Sequence, residues 1–416
     1  MRHLLFLLFV LLTASACQRS LSSAEKPAAD QAQYLILISM DGFRWDYLDR
    51  FQPPRLSQFV KEGVRAESML SCFPSKTFTN HYSIATGMYP NHHGLVDNNF
   101  FDADKNLVYG MGRRELVQDG SWYGGTPIWV WAAQKGLKTA SFFFVGSEAD
   151  IQGVRPHYYY NYDGSISNEK RVQQALDWLR LPEAERPRLI TLYFSDMDDQ
   201  GHRYGPNADE KLREKLMALD TALGQLFDGL NTIQLPVNVL FVSDHGMAEI
   251  SVKNLLPIEP IEDEAQYLTV NNGALAHLYL RDTTAAETVY QNIKAAEKQY
   301  KIYRTAETPY FETPPTNPRW GDFIVVPDSG YYFVNARTMG FRQRSGDVVM
   351  GEHGFDPERR EMHGIFFAGG PAIRQGKVVP SFKNIHVYPL MCRILGIGIP
   401  PDVDGKAEVL NPVLRR

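Results

Sequence analysis

Two pairs of side chains that could bind a metal ion lie close together in the sequence, and a single aspartate has a similar setting. Asp198 and His202 are four residues apart, so one helical turn would direct both side chains the same way. Asp244 and His245 are adjacent, so a tight turn could aim both at one point. Asp41 ends an apolar run and precedes a glycine. Aspartate and histidine together suit zinc, so these residues predict a metal site if the fold assembles them.

A hydroxyl group opens a helical pattern that runs from Thr77 to Thr86 and is closed by Gly87. At a helix N-terminus it would face unpaired N–H groups and the positive end of the helix dipole, which favours an alkoxide or a phosphate oxygen. Taken alone, the position favours an ordinary helix cap, because threonine commonly caps helices and is a poor nucleophile without a base or a metal. With His353, in a glycine-flanked loop, the set becomes three carboxylates, three imidazoles and one hydroxyl. Two zinc ions held by such a set suit phosphoryl transfer.

The elements that must position these residues are buried strands alternating with helices. Helical patterns cover Glu169–Arg180 and Asp209–Leu230. Such alternation predicts a parallel sheet with helices on both faces, and three of its strands deliver an aspartate at their C-terminal ends. That edge is where open α/β sheets bind ligands. The apolar runs that predict strands are 34–39, 138–144, 189–194, 237–242 and 364–368.

Residues from about 250 to 340 have a different pattern. Strand-like pieces at Gly273–Leu280 and Phe323–Pro327 flank a helical pattern at Ala285–Tyr300. We interpret this region as a small α+β subdomain inserted into the main sheet or packed beside it. The predicted organisation is therefore a leader over 1–17, a tether over 18–32, the first part of a catalytic core over 33–249, the insert over 250–340 and the second part of the core over 341–416.

The N-terminus has the features of a targeting segment. Arg2 and His3 precede the apolar run Leu4 to Leu12, which is too short to span a bilayer as a mature helix. Ala14-Ser15-Ala16 fits cleavage in ordinary secretion, and the same residues before Cys17 resemble a bacterial lipoprotein signal. The sequence thus predicts a periplasmic or cell-envelope protein, lipid-anchored through Cys17 or else secreted.

The composition does not indicate nucleic-acid binding, and it does not decide whether the two remaining cysteines form a disulfide. The formal net charge of -5 gives no indication of a basic surface for nucleic acid, and nothing in the sequence predicts a protein partner. Cys72 and Cys392 could pair in an oxidising compartment, but their separation favours two buried thiols.

Taken together, the motifs resemble those of the nucleotide pyrophosphatase/phosphodiesterase family (type I phosphodiesterases) in the alkaline phosphatase superfamily. With the leader, the resemblance suggests a bacterial member. It extends from about Gln33 to the C-terminus and implies an alkaline-phosphatase-like, doubly wound, mostly parallel α/β sheet. The motifs that carry it are Ser39-Met40-Asp41-Gly42, the run from Pro74 to Tyr82, Asn91-His92-His93-Gly94 with Asp97-Asn98, the run from Asp198 to Pro206, Ser243-Asp244-His245-Gly246-Met247, and His353-Gly354.

The resemblance implies two zinc ions per chain and a role for each motif residue. Asp198, His202 and His353 would hold one ion. The other would be held by Asp41, Asp244 and His245, with Thr77 as its nucleophilic fourth ligand. Asn98 and the backbone N–H of Thr77 would stabilise charge on the phosphate oxygens.

Aromatic residues near the predicted nucleophile suggest the substrate. By resemblance, Phe78 and Tyr159 would sandwich a nucleobase and Tyr193 would line the same pocket, while Lys76 could meet a distal phosphate. The tyrosine cluster could instead be simple packing, and an aromatic pocket would also accept a choline headgroup. One departure from the family pattern, Phe144-Val145-Gly146 where many members have Trp-Pro-Gly, falls on a wall of this pocket.

The sequence therefore predicts an extracytoplasmic two-zinc phosphodiesterase or pyrophosphatase. It would form a phospho-threonine intermediate and release a nucleoside 5'-monophosphate. Three alternatives stay open at this point: a choline-phospholipid or glycerophosphodiester hydrolase with the same metal site, a phosphomonoesterase, and a binding module with a vestigial site. Arg44 is the nearest candidate for the basic clamp that a monoesterase needs, and a vestigial site is disfavoured because no ligand is missing.

Overall fold

The computed structural model describes residues 33–415, so the predicted leader, tether and Cys17 lie outside the described residues. The described chain forms a large sheet, a smaller sheet and several two-stranded pairs. The strands are β1 (Tyr34–Met40), β2 (Val64–Ala66), β3 (Met69–Leu70), β4 (Asn99–Asp102), β5 (Leu107–Gly110), β6 (Thr139–Phe142), β7 (Tyr158–Tyr160), β8 (Leu189–Phe194), β9 (Val237–Val242), β10 (Ala248–Ser251), β11 (Leu255–Pro257), β12 (Tyr267–Asn271), β13 (Ala276–Leu280), β14 (Tyr300–Arg304), β15 (Phe323–Pro327), β16 (Tyr332–Val334), β17 (Val349–Glu352), β18 (Phe366–Gly369), β19 (Lys377–Val379) and β20 (Phe382–Lys383).

The helices connect these strands and cover both faces of the large sheet. They are α1 (Tyr47–Phe51), α2 (Pro54–Glu62), α3 (Thr77–Thr86), α4 (Pro90–His93), α5 (Arg114–Val117), α6 (Ile128–Gln134), α7 (Asn168–Arg180), α8 (Asp196–Tyr204), α9 (Asp209–Thr232), α10 (Ala286–Ala295), α11 (Ala336–Ser345) and α12 (Val387–Leu395).

The large sheet has eight strands in the order β19-β2-β18-β9-β1-β8-β6-β7. All neighbours are parallel except at β18, which is antiparallel to both β9 and β2. Central strand β1 is buried along its whole length, which explains its continuous apolar sequence. The predicted doubly wound, mostly parallel architecture is confirmed.

Successive side chains of β1 point to opposite faces of the sheet and pack into two separate hydrophobic cores. Leu35 and Leu37 face a cluster that includes buried residues of α3, α6 and α12, whereas Ile36 and Ile38 face a cluster that includes buried residues of α2, α7 and α9. A strand buried on both faces needs helices on both sides, as the chain provides.

Most predicted elements are present within a few residues of their predicted bounds, and three predictions differ from the structure. The runs at 189–194 and 237–242 coincide with β8 and β9, and the helix predicted from Thr77 to Thr86 coincides with α3. The run at 364–368 forms β18, but this strand is antiparallel rather than parallel. The helical pattern predicted to reach Tyr300 ends at Ala295, and Tyr300 begins β14. Residues Tyr158–Tyr160, predicted as loop, form edge strand β7.

A second sheet lies within the region predicted as an insert. It has four antiparallel strands in the order β12-β13-β15-β14, and α10 packs on it around a separate apolar core that includes Ile293 and Phe323. Strands β10 and β17, which precede and follow this region, pair with each other. That pairing brings the chain back to the main sheet where the insert ends. The exact bounds of the insert stay a prediction.

Two further properties bear on the sequence predictions. Cys72 and Cys392 are free and buried, as the interpretation of two buried thiols requires. Among the helices of residues 33–415, none has the length and apolar character needed to cross a bilayer.

Candidate active site

The predicted ligands converge at the C-terminal edge of the large sheet. Asp41 follows β1 directly, and Asp244 comes two residues after β9. Asp198 lies in the first turn of α8, Thr77 begins α3, and His353 follows β17. Parallel strands end at a common edge, and the structure brings all the predicted metal ligands together there: Asp41, Thr77, Asp198, His202, Asp244, His245 and His353.

His245 lies at the centre of the cluster. Its Nε2 atom is 2.9 Å from Asp244 Oδ2 and 3.4 Å from Asp41 Oδ1. The hydroxyl oxygen of Thr77 lies 3.1 Å from the same nitrogen. Asp198 extends the cluster on the far side, with Oδ1 at 3.4 Å from His202 Nε2. The candidate nucleophile and the carboxylates therefore share one buried space.

Each of the three predicted histidine ligands is oriented in the same way. In all three rings Nδ1 lies within hydrogen-bond distance of a backbone carbonyl, so a proton on Nδ1 leaves the lone pair of Nε2 directed at the cluster. This arrangement is typical of metal-binding histidine, whose second nitrogen is fixed by a hydrogen bond. The distances are 2.8 Å from His202 to Gly351, 2.8 Å from His245 to Gly246 and 2.9 Å from His353 to Ser75.

The carboxylates leave oxygen atoms without hydrogen bonds. Asp41 Oδ1, Asp198 Oδ1 and Asp244 Oδ2 are all buried and accept none within the described chain. Burial, together with the charges of Asp244 and Asp198, raises the pKa of Asp41 well above its ordinary value. Burial also raises the pKa of Asp198. Buried carboxylates that repel one another need cations, so the donor set fits divalent metal ions.

His81 is a member of the cluster that the sequence reasoning did not assign. Asp41, His81 and Asp244 form one group whose ligand atoms lie within 4.8 Å of one another, and Asp198, His245 and His353 form another. Both ring nitrogens of His81 have partners, however: Nδ1 lies 2.9 Å from the Thr77 carbonyl and Nε2 lies 2.7 Å from Ser39 Oγ. His81 therefore fits a role in orienting Thr77 and Asp244 better than a role as a ligand. Its spacing of four residues from Thr77 was the available signal.

The loop before Thr77 is held by the side chain of Asn80. Asn80 is fully buried, and its Oδ1 accepts hydrogen bonds from Cys72 N–H at 2.7 Å and from Asn384 Nδ2 at 2.9 Å. Its Nδ2 lies 2.9 Å from the Pro74 carbonyl and 3.0 Å from the Lys76 carbonyl. One amide group thus fixes the path of the chain into α3 and hence the position of the hydroxyl.

Replacing Asn80 by alanine should therefore reduce both turnover and stability. We expect kcat to fall about 100-fold, because a small misplacement of a reacting group costs about that much. We expect the free energy of unfolding to fall by about 3 kcal/mol, since buried groups left unpaired cost about 1–3 kcal/mol each. Steady-state kinetics and denaturant unfolding measure the two effects.

Asn91→Ala is the matched control for Asn80→Ala. Asn91 is also buried and hydrogen-bonded, but its partners are Thr316, Asn317 and Trp320 rather than the loop before Thr77. The Asn91→Ala variant should be less stable than the starting protein, but its kcat should stay within about threefold of the starting value. Equal losses of kcat in the two variants would mean that Asn80 acts through stability alone.

Asn98 lies beside the start of α3. Its Oδ1 accepts a hydrogen bond from the Phe78 N–H at 2.9 Å, which orients its Nδ2 donor group away from the helix backbone. It lines the same cavity as Lys76 and Thr77, where an oxygen of a bound phosphate could be reached. Arg44, by contrast, is engaged by Asp46, with Nε 2.6 Å from Oδ1. That pairing leaves Arg44 unsuited to clamp a phosphomonoester.

An aromatic cavity of about 220 Å³ opens on one side of Thr77. Phe78 and Tyr193 line it as predicted, and Tyr193 also donates a hydrogen bond to Asp41 Oδ2 at 2.6 Å. The other lining residues include Phe143, Phe144, Val145, Gly146 and Tyr162. The Phe-Val-Gly departure from the family pattern therefore does lie on the cavity wall.

Tyr159 does not line this cavity, which corrects the pairing expected from the sequence. Side chains alternate along β7, and Tyr158 and Tyr160 pack on Trp178 with ring centroids 6.3 and 6.1 Å away. Tyr159 points to the other side and is 40% exposed. Tyr162, just beyond the strand, reaches the cavity instead. The edge strand was not recognised, so the wrong tyrosine was chosen from the cluster.

A second, polar cavity of about 350 Å³ adjoins the aromatic one, since both are lined by Thr77 and Asp198. Lys76 lines it, is almost fully buried, and donates a hydrogen bond to the Tyr332 hydroxyl at 3.3 Å. Burial lowers the pKa of Lys76. Glu352, another lining residue, lies 3.7 Å from His202 Nδ1. Burial alone would lower the pKa of His202, but Asp198 and Glu352 raise it to about 10, so a metal ion that binds Nε2 would have to displace a proton.

Comparison with known proteins gives a consistent answer. Residues 35–364 match the family model described as type I phosphodiesterase / nucleotide pyrophosphatase. Venom phosphodiesterase CdcPDE of Crotalus durissus collilineatus is 36% identical over 95% of this chain and 48% of its own length. Ectonucleotide pyrophosphatase/phosphodiesterase family member 1 of Mus musculus is 34% identical over 95% of this chain and 44% of its own. The chain thus spans about half the length of these relatives.

A solved structure is similar over nearly the whole chain. Murine ectonucleotide pyrophosphatase/phosphodiesterase 5, as an inactive threonine-to-alanine variant in complex with AMP, superposes with a TM-score of 0.84. It is 28% identical and covers 92% of this chain and 100% of the murine chain.

Proposed function

This chain belongs to the type I phosphodiesterase/nucleotide pyrophosphatase family, and from that premise we propose that it is an extracytoplasmic, zinc-dependent phosphodiesterase. It hydrolyses nucleotide phosphodiester or pyrophosphate bonds and releases a nucleoside 5'-monophosphate. The observation that carries the proposal is the position of the Thr77 hydroxyl, 3.1 Å from His245 Nε2, among buried carboxylates whose free oxygens need cations.

The donor set supports two zinc ions. Asp198, His202 and His353 would hold one; Asp41, Asp244 and His245 would hold the other beside Thr77. When bound, the ions would lower the pKa of the Thr77 hydroxyl and neutralise charge on the phosphate. Mixed aspartate and histidine ligands are the reason for preferring zinc to magnesium or calcium, which favour oxygen.

The reaction follows from the position of Thr77. The Thr77 hydroxyl loses its proton to solvent and its Oγ1 attacks the phosphorus. The bond from phosphorus to the leaving group breaks, the leaving group departs with the electron pair, and the nucleoside phosphoryl group rests on the threonine. The Nδ2 group of Asn98 and the backbone N–H of Thr77 at the helix N-terminus would stabilise charge on the phosphoryl oxygens. Water then cleaves the Thr77–phosphorus bond, returns the hydroxyl and releases the monophosphate.

The two cavities suggest how a nucleotide diester would be oriented. A base between Phe78 and Tyr162 would occupy the aromatic cavity, and the leaving group would extend into the polar cavity toward Lys76. Both cavities include Thr77 and Asp198, so the scissile phosphate lies between them. AMP in the complex of the murine neighbour supports a nucleoside monophosphate as the retained part.

Tyr162→Ala should weaken the interaction of the enzyme with a nucleotide substrate, and Tyr159→Ala should not. Base stacking on an aromatic side chain is worth about 1–3 kcal/mol, so we expect kcat/KM for the p-nitrophenyl ester of thymidine monophosphate to fall about 10- to 100-fold. Tyr159→Ala is the control, because Tyr159 is similarly exposed but lies outside the cavity. Similar losses in the two variants would contradict the assignment of Tyr162.

A panel of three substrates at neutral pH tests the proposed function: the p-nitrophenyl ester of thymidine monophosphate, p-nitrophenyl phosphate and p-nitrophenyl phosphorylcholine. We expect the nucleotide ester to be turned over fastest. Much faster turnover of the choline ester would favour the choline-phosphodiesterase alternative, and much faster turnover of the phosphate would favour a monoesterase.

The extracytoplasmic location is supported by the leader-like N-terminus and by relatives named as venom or ecto-enzymes. Mass spectrometry of the mature N-terminus tests the lipid anchor. A diacylated Cys17 would support anchoring, and an unmodified Cys17 would reject it.

A further inference from the structure

Four basic side chains, and no carboxylate of the described residues, line one surface cavity of about 510 Å³: Arg374, Lys377, Arg393 and Arg415. We call these four residues the cationic face. Three of them have neutral oxygen partners: Arg374 Nε donates to the Leu414 carbonyl at 2.8 Å, Arg415 Nε donates to the Ile373 carbonyl at 2.7 Å, and Arg393 donates to the side chain of Asn411. Within residues 33–415 none of the four forms an ion pair with a carboxylate, although the whole chain carries a formal charge of -5.

The cationic face lies at the edge of the large sheet opposite the candidate active site. Lys377 begins β19, which runs parallel to β2 and, through antiparallel β18, in the same direction as β1 and β9. The metal ligands follow the other ends of β1 and β9. The seven residues of β1 separate the two edges by roughly 20 Å.

The chain also enters the described structure at this edge. Asn238 Nδ2 donates to the side chain of Gln33, and Asn238 Oδ1 accepts a hydrogen bond from Ala372 N at 2.8 Å. The backbone N–H of Arg415 in turn donates to the Ala372 carbonyl at 2.9 Å. Residues 1–32, with the lipidation motif at Cys17, therefore join the fold beside Arg415.

Apolar side chains accompany the basic ones. Lys377 also lines a neighbouring cavity with Lys61 and with Val378, which is 58% exposed. Asp49 lines that cavity too, but its carboxylate is paired with Arg65. Ile399 is 37% exposed and follows the last turn of α12, which carries Arg393. Basic side chains with exposed aliphatic ones at their margin are typical of surfaces that rest at a bilayer interface.

We propose that the cationic face docks on the anionic headgroups of a lipid bilayer and holds the active-site edge directed away from the membrane. Charge complementarity and the entry point of residues 1–32 both favour a bilayer. Each basic residue near an anionic membrane surface contributes about fivefold in affinity at low salt. Four together should contribute about two orders of magnitude or more. The argument from the entry point rests on the lipid anchor proposed above, whereas the argument from charge does not depend on the proposed catalytic function.

Vesicle sedimentation of the full chain carrying Cys17→Ser tests this, because that change removes the lipidation site. The protein should bind vesicles of phosphatidylcholine with about one third phosphatidylglycerol at least about 100-fold more tightly than vesicles of phosphatidylcholine alone. Binding should weaken strongly at high salt. Reversing the four charges with Arg374→Glu, Lys377→Glu, Arg393→Glu and Arg415→Glu should remove the preference for phosphatidylglycerol.

The matched control reverses four exposed lysines elsewhere on the surface: Lys170, Lys211, Lys253 and Lys298. This control should keep affinity within about threefold, and all variants should keep activity within about twofold, which verifies folding. If the variant with all four charge reversals does not fold, the double variant Arg374→Ala with Arg415→Ala should still lower the affinity for phosphatidylglycerol vesicles more than tenfold. The proposal is overturned by equal binding to both vesicle types, by equal losses in control and test variants, or by tight binding of inorganic polyphosphate without vesicle binding.

Discussion

Thr77→Ala should lower turnover of the p-nitrophenyl ester of thymidine monophosphate by about 10⁴-fold or more. Loss of a nucleophile leaves only the rate enhancement that binding and electrostatics provide. The hydroxyl of Thr77 has a single side-chain partner, His245, and the helix it begins is held by the backbone and by Asn80. Stability and metal content should therefore change little. Kinetics, thermal unfolding and elemental analysis measure the three quantities.

Thr77→Ser is the control for the hydroxyl itself. It keeps the oxygen and removes one methyl group, so we expect it to retain at least a few per cent of the activity. Activity of Thr77→Ala within tenfold of the starting protein would exclude Thr77 as the nucleophile. Loss of metal from Thr77→Ala would instead make Thr77 chiefly a structural ligand.

Removal of the bound metal ions should also cause a large loss of activity. Treatment with excess chelator should abolish turnover, and zinc should restore it. The metal-free protein should also unfold at lower temperature, because ions that bind only the folded state stabilise it by about 4 kcal/mol at a thousand times their dissociation constant. The physical cause is the burial of the carboxylates and their mutual repulsion, which together raise the pKa of Asp41 and which bound cations would offset.

Adjacent aspartates on α8 provide a matched pair for the metal site. Asp198 points into the cluster, whereas Asp199 is exposed and accepts a hydrogen bond from Ser195 at 2.9 Å. Asp198→Ala should lower the metal content measured by elemental analysis, and Asp199→Ala should leave it unchanged. Full metal content and unchanged thermal stability after chelation would contradict a metal site.

The sequence alone predicted the fold class and most of the strand and helix bounds for physical reasons. A strand buried on both faces, such as β8 or β9, is a continuous apolar run, and its end is marked by the polar residues that follow. The three predicted aspartate ligands, Asp41, Asp198 and Asp244, follow such runs, so the ligand edge could be foreseen. The antiparallel direction of β18 could not, because an apolar run has no directional signal.

The aromatic cavity was the least predictable part. Tyr158, Tyr159, Tyr160 and Tyr162 are alike in composition, and only the pairing of β7 with β6 decides which side chains face Trp178. The orienting role of His81 depends on tertiary contacts with Ser39 and Thr77. Choices among neighbouring residues of one type require the register of the sheet, which local sequence does not contain.

The position of β18 has a consequence for synthesis. This strand lies between β2 and β9, so until residue 369 has emerged one edge of β9 is open, and β2, whose other neighbour β19 follows still later, has no partner in the sheet. His353 also belongs to this late segment. A nascent chain halted after the insert would expose pairing edges prone to aggregation and would lack a complete catalytic centre. Maturation therefore waits for the last fifth of the polypeptide.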